Sequence, residues 1–325
     1  MNRKAWVNVR GAAVLGVVLI HITGLFLRQD SGFGDSFYLV LNQLSRFAVP
    51  MFFIASGYGL TISRSYTGDL GTYLKKRMKI VPAYLMWTFV YLIVHHTDWS
   101  LKSIMGGIFL GNSSYHMYFI TVLILFYLIY PILHNFCTTY IGITIMLLIT
   151  LAGQAFFLSG STFGKPYFWN WLFYFGVGIF MAYENHLNLF LKCSKSLLLL
   201  GLIAILGTSF YFKYVKFNNL SLSTTSMRPA VMLYTLGVVA FMLNWYSKPF
   251  KVFSVFDANS LNIYYVHPIM LMIIQKLLQG TNTTNFESFL IMLAFVLIVS
   301  LLFSMSYRWV STKIRLLFRR VGNTL

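Results

Sequence analysis

From residue 11 to residue 306 the chain is a succession of apolar runs separated by short polar or basic turns. A membrane span needs about 20 mostly apolar residues. Ten runs qualify: roughly 11–27, 37–62, 80–97, 117–134, 141–159, 169–184, 197–213, 229–245, 259–279 and 287–306. The expected fold is therefore an all-α integral membrane protein, a bundle of about ten transmembrane helices. Composition agrees: 58% of residues are hydrophobic and 10% charged, against about 25% charged in soluble domains. No polar block is long enough to fold separately, so residues 1–325 read as a single transmembrane domain with no separate soluble one.

The formal charge of +18 would point to nucleic acid in a soluble chain. Here the basic residues sit at the ends of apolar runs, where they orient helices and meet anionic lipid or phosphates, so nucleic acid is not an expected partner. With both termini in the cytoplasm, 17 of the 25 Lys and Arg fall on the cytoplasmic side, as the positive-inside rule requires. The first run follows Arg3, Lys4 and Arg10 but precedes Arg28-Gln29-Asp30 with no small-x-small cleavage pattern. It is expected to be retained as a helix. Cys137 and Cys193 form no redox or metal motif, and in this topology both face the cytoplasm, where a disulfide is not expected. Segment 98–116 is too polar to span, with Leu101 to Leu110 expected as a short helix along the outer surface.

Charged groups at membrane depth are costly, so those present mark where chemistry is to be sought. Arg10 and His21 are eleven residues apart, about 20° past three full turns at 100° per residue, and so share one helix face. The rise separates them by about 16 Å. A phosphate-binding cation and a general base share that stripe. The same pair also reads as a snorkelling arginine and a packed histidine. Arg46 lies near the expected outer end of the second run, ahead of Pro50, while Ser56-Gly57 is small enough for helix packing or for a bound chain. Lys75, Lys76, Arg77 and Lys79 precede Pro82. They read as a polyphosphate cradle or as positive-inside anchoring. His116 and Tyr118 stand at an outer mouth, and Asn262, Tyr264 and His267-Pro268 in the ninth run. His267 reads as a structural hydrogen bonder beside a proline kink. His95-His96 lie on different helix faces without carboxylates, so no metal is expected. The acidic residues fall at or beyond the ends of the runs, which argues against an ion-coupled transporter.

Taken in order, these segments resemble the acyltransferase-3 family of integral membrane acyltransferases. The matching segments are Arg10 and His21 as Arg-x10-His; Arg46 to Tyr58; the basic cluster Lys75 to Lys79 before Ile80-Val81-Pro82-Ala83-Tyr84; His116 to Pro131; and Asn259 to Pro268. Two positions depart from the family pattern. Tyr118 stands where Trp is usual, and Lys79 where Arg is usual, which keeps the charge but loses bidentate phosphate binding. The resemblance implies acyl-CoA, most simply acetyl-CoA, as a cytoplasmic donor substrate with no permanently bound cofactor. It implies transfer to a hydroxyl of a cell-surface polysaccharide or glycolipid from a multi-pass protein of the bacterial plasma membrane. On that basis His21, Arg46 and Tyr118 are the catalytic candidates. Arg10, Lys75, Lys76, Arg77, Lys79 and Ser56 are the donor-binding ones, and His116, Asn262, Tyr264 and His267 are acceptor or structural candidates. His21 would deprotonate the acceptor hydroxyl, or carry the acyl group itself. Family members often carry a C-terminal extracytoplasmic esterase-like domain, so a separate partner is expected for any second transfer step. The rival from another class is a polysaccharide exporter or flippase without acyl-transfer chemistry.

Overall fold

A computed structural model describes residues 5–27, 33–159, 168–215, 219–245 and 248–322. Among them there are helices and no strands. In chain order these are α1 (Ala5–Phe26), α2 (Phe33–Ser45), α3 (Ala48–Ile62), α4 (Leu70–Arg77), α5 (Val81–Val94), α6 (Leu101–Leu110), α7 (Tyr118–Phe136) and α8 (Tyr140–Leu158). There follow α9 (Leu172–Phe180), α10 (Glu184–Lys192), α11 (Ser194–Phe210), α12 (Leu220–Thr224), α13 (Pro229–Trp245), α14 (Lys251–Leu278) and α15 (Asn285–Gly322). The possible cleavage region Arg28 to Asp30 and the basic residues Arg3 and Lys4 lie outside the described residues.

Nine stretches among the described residues are long and apolar enough to cross a membrane, and the chain is a multi-pass membrane protein. The expected sixth run, 169–184, is the exception. It forms a 3-10 turn over Phe168–Trp171 and then only nine α-helical residues in α9. Every residue of α9 is buried, so this helix meets protein rather than lipid along its length. Counting apolar residues cannot separate such a helix from a lipid-facing span.

Local chemistry sets the helix ends. Asp69 caps α4 by accepting from the Gly71 and Thr72 amides at 3.0 and 3.3 Å, and the Thr72 hydrogen bonds hold its carboxyl below the usual range. Ser100 caps α6, which ends at the left-handed Gly111, as a helix C-terminus commonly does. The second expected run is broken at Arg46-Phe47. Pro50 lies in the first turn of α3, where its missing N–H costs nothing, but α2 could not run through it unbroken, since its ring would crowd the Arg46 carbonyl. The break puts Arg46 at a corner between α2 and α3, within the 28-residue stretch Asp35–Ile62. In the same way α14 begins at Lys251, eight residues before the expected 259.

By its contacts the chain divides into two compact units. One comprises residues 49–204 and 225–241, the other 2–48, 205–224 and 242–325. In the first, α3 lies backbone to backbone against α9 at Gly57 and Gly178, and Phe126 of α7 stacks on Phe175 of α9 at 4.7 Å. The Tyr84 hydroxyl of α5 hydrogen-bonds the Gly107 carbonyl of α6 at 2.7 Å. In the second, α1 and α14 run side by side in the same direction. The Asn8 amide donates to the Lys248 carbonyl and accepts from the Phe250 amide, both at 2.8 Å. Gly11 touches the Phe253 backbone so closely that no methyl group would fit there.

Topology has a direct test. Burial pushes the Cys137 thiol up to about 12, leaving it inert to maleimide, so only the exposed Cys193 need be replaced. In intact cells a cysteine at exposed Thr67 is expected to stay unlabelled and one at exposed Trp99 to react. Labelling at both would overturn the expected orientation.

Candidate active site

In the second unit, Arg10 and Asp257 form a fork of two hydrogen bonds at 2.6 and 2.9 Å. One rung further along the same two helices, the rings of His21 and His267 stack with centroids 5.3 Å apart and planes 26° from parallel. The spacing from 10 to 21 on α1 is eleven residues and that from 257 to 267 on α14 is ten, within about 1.5 Å of each other in rise, so the two parallel helices bring both pairs together. His21 is half-buried, whereas His267 is 1% exposed. His267 Nδ1 lies 3.0 Å from the Ile263 carbonyl. A carbonyl only accepts, so Nδ1 carries the proton.

Arg46 is tied to the same region. Its Nε donates to Asn42 Oδ1 at 2.9 Å, and the Asn42 amide donates to the Ile20 carbonyl at 3.0 Å and to Thr23 Oγ1 at 2.9 Å. Asn42 and Thr23 are fully buried. A buried side-chain network of this kind is rigid when its members are satisfied. It holds a guanidinium within electrostatic reach of the imidazole of His21. Arg46, His21, His267 and Arg10 are thus brought into one unit with a partner the sequence reading missed, Asp257.

Asp257 lies about two turns into α14, two residues before the expected ninth run. A second carboxylate, Asp35, is buried and paired with Lys213. Each carboxylate is engaged by a cation, so neither stands alone as an ion-coupling group would.

The donor candidates of the first unit gather differently. Lys75, Lys76 and Lys79 are exposed, while Arg77 is half-buried and donates to Ser65 Oγ. The Arg77 charge acts on Tyr73, Tyr127 and Tyr130, and Ser56 sits beside the Tyr127 hydroxyl. The Tyr73 hydroxyl donates to the Tyr127 carbonyl at 2.7 Å. Arg77 Nε is buried and makes no hydrogen bond within the protein. Arg10, by contrast, already spends Nε and one terminal nitrogen on Asp257.

Tyr118 is half-buried and stacks on the fully buried Trp171 at 6.1 Å, which in turn meets Phe53 at 5.3 Å. Tyr118 thus belongs to a cluster of aromatic rings. His116 is 3% exposed and packs edge-on against Tyr91 at 4.9 Å. Asn262 donates to Ser304 Oγ at 3.1 Å, which ties α14 to α15. Tyr264 is nearly buried, its ring 6.2 Å from that of His267. Among the described residues no group of three His, Cys, Asp or Glu gathers as metal ligands would.

Comparisons with known proteins place the chain in a family. Residues 4–305 match the Acyl_transf_3 family model, described as an acyltransferase domain. Proteins of Staphylococcus aureus strains MSSA476 and MRSA252 are 25% identical over 301 residues, covering 83% of this chain and 82% of theirs. Both bear the name "Probable poly-beta-1,6-N-acetyl-D-glucosamine export protein". No solved structure matches. The family match spans nearly the whole chain, from before Arg10 to beyond His267, and the chain belongs to the acyltransferase-3 family.

Proposed function

We propose that this protein transfers an acyl group, most simply acetyl, from cytoplasmic acyl-CoA to a hydroxyl of an extracytoplasmic polysaccharide or glycolipid. The observation that carries the reading is His21: a half-buried imidazole beside the charge of Arg46, in a chain of an acyltransferase family. In the reaction His21 takes the proton of the acceptor hydroxyl as its oxygen attacks the thioester carbonyl. The carbon–sulfur bond then breaks, and the proton passes to the CoA thiolate. Arg46 stabilises the negative oxygen that develops at the carbonyl carbon.

The names of the staphylococcal relatives favour a second reading, glycan export without acyl transfer. One experiment separates the two. In cells deleted for the gene, acyl transfer predicts normal amounts of surface glycan that has lost alkali-labile acyl groups, restored by the wild-type gene but not by His21→Ala. Export predicts less glycan at the surface with its acyl content unchanged.

For the donor, the unbonded Nε of Arg77 makes this residue, with Lys75, Lys76 and Lys79, the stronger phosphate ligand than Arg10. A hydrogen bond to a charged group contributes about 1.5–3 kcal/mol, so Arg77→Ala is expected to weaken acetyl-CoA binding roughly 10- to 100-fold. The wild-type affinity should also fall with salt. Calorimetric titration of the purified protein measures both. Arg10→Ala is expected to change affinity less and to lower thermal stability, because Asp257 loses its partner. Unchanged affinity in Arg77→Ala would return the basic cluster to the role of a membrane anchor.

A further inference from the structure

Four observations meet at His267. Its ring is buried, it faces His21 in a stacked pair, its Nδ1 is bound to the Ile263 carbonyl, and Pro268 follows it inside α14. Proline has no N–H, so the helix loses one backbone bond at this turn and the chain there needs another donor. The carbonyl it frees is that of Tyr264, and the His267 side chain bonds the carbonyl next to it, that of Ile263. This fixes both the tautomer of His267 and the direction of its ring. Tyr264, one turn away with its ring 6.2 Å from that of His267, closes the side.

A general base must be held with its lone pair toward the proton it removes, and a half-exposed imidazole on its own rotates about two side-chain torsions. On α1, His21 has a flat surface to lie against only if the neighbouring helix supplies one. We propose that His267 is a positioning residue for His21: a buried imidazole pinned to the backbone of α14, forming the wall that fixes the ring plane of the base. It touches no substrate in this role. The inference rests on the reading of His21 as the base. It replaces the expectation that His267 serves folding alone.

The test uses the full-length purified protein with radiolabelled acetyl-CoA and envelope glycan from cells deleted for the gene, counting turnover per mole of monodisperse protein. His267→Asn keeps a donor where Nδ1 was and removes the ring. Its kcat is expected to fall about 10- to 100-fold, since misplacement of reacting groups by an ångström has costs of that size, with the KM for acetyl-CoA changed less than threefold. His267→Phe keeps a ring and removes the pin, and its kcat is expected to lie between that of His267→Asn and the wild type. A readout independent of turnover is the rate at which diethyl pyrocarbonate modifies His21, followed by mass spectrometry, which should rise in both variants.

A merely structural role would lower the yield of folded protein while leaving kcat per mole and the His21 modification rate as in the wild type; that result overturns the inference. Should His267→Asn fail to fold, His267→Phe and the modification rate decide by the same criteria. If His21→Ala itself retains turnover, the base assignment fails, and the inference with it. If His21→Ala is inactive and both His267 variants are fully active, the positioning role alone is refuted.

Discussion

Replacing His21 with alanine is expected to lower acyl transfer by about 10²–10⁴-fold, the usual cost of losing a general base. Folding and acetyl-CoA binding should change little. The side chain is half-buried, and its neighbours Ile20 and Ile22 carry most of the packing at that turn. The Asn42 network reaches α1 through the Ile20 carbonyl and Thr23 rather than through the imidazole, so it survives the substitution. Arg46 would then remain in place to stabilise charge on the carbonyl oxygen, leaving a residual rate above that of water. The measurement is acyl transfer per mole of folded protein, paired with a binding titration. Turnover above about a tenth of wild type, well outside the range for a lost base, would remove His21 from the chemistry. His116 would be a poor replacement, because it is packed against Tyr91 and 3% exposed.

The helix content and the Arg10–His21 stripe could be read from the chain because both depend on local periodicity. An eleven-residue spacing fixes a shared face whatever surrounds the helix. The short helix expected over Leu101 to Leu110 likewise falls at those residues, with Ser100 as its cap and Gly111 at its end. What the sequence hid is what lies across from that stripe. Asp257 is 247 residues from Arg10 in the chain, and the ten-residue interval from Asp257 to His267 pairs with the eleven-residue interval on α1 only once the two helices are known to be neighbours. His267 therefore read as an isolated residue beside a proline, although α14 runs through Pro268 as one helix. The short α9 was misjudged for a related reason. Its apolar run is as hydrophobic as a span, but protein encloses it on all sides, and composition does not distinguish lipid from a protein interior. The lone Nε of Arg77 was equally invisible, since it depends on where Ser65 and three tyrosines fall around the guanidinium.

Substituting Gly57 or Gly178 by valine is expected to prevent folding. The two glycines face each other's helices reciprocally: a Cβ on Gly57 would overlap the Phe175 carbonyl of α9, and one on Gly178 would overlap the Ile54 carbonyl of α3. Both obstacles are backbone, which cannot swing aside as a side chain would, so relief requires α3 and α9 to separate. Overpacking against movable side chains costs about 1–3 kcal/mol, and here the cost should exceed that range. The loss would also spread, because α9 carries Phe175 into the stack with Phe126. Gly59, on the same helix with nothing within 4 Å of an added Cβ, provides the control. Gly59→Ala should be neutral, or stabilise by up to about 1 kcal/mol from helix propensity. Size-exclusion profiles and thermal midpoints of the detergent-purified variants make the comparison. The outcome also decides between the two roles open to Ser56-Gly57. A Gly57→Val protein that folds normally and loses only turnover would mean that this face receives a bound chain, whereas loss of the folded peak means that it is the seam on which α3 and α9 close.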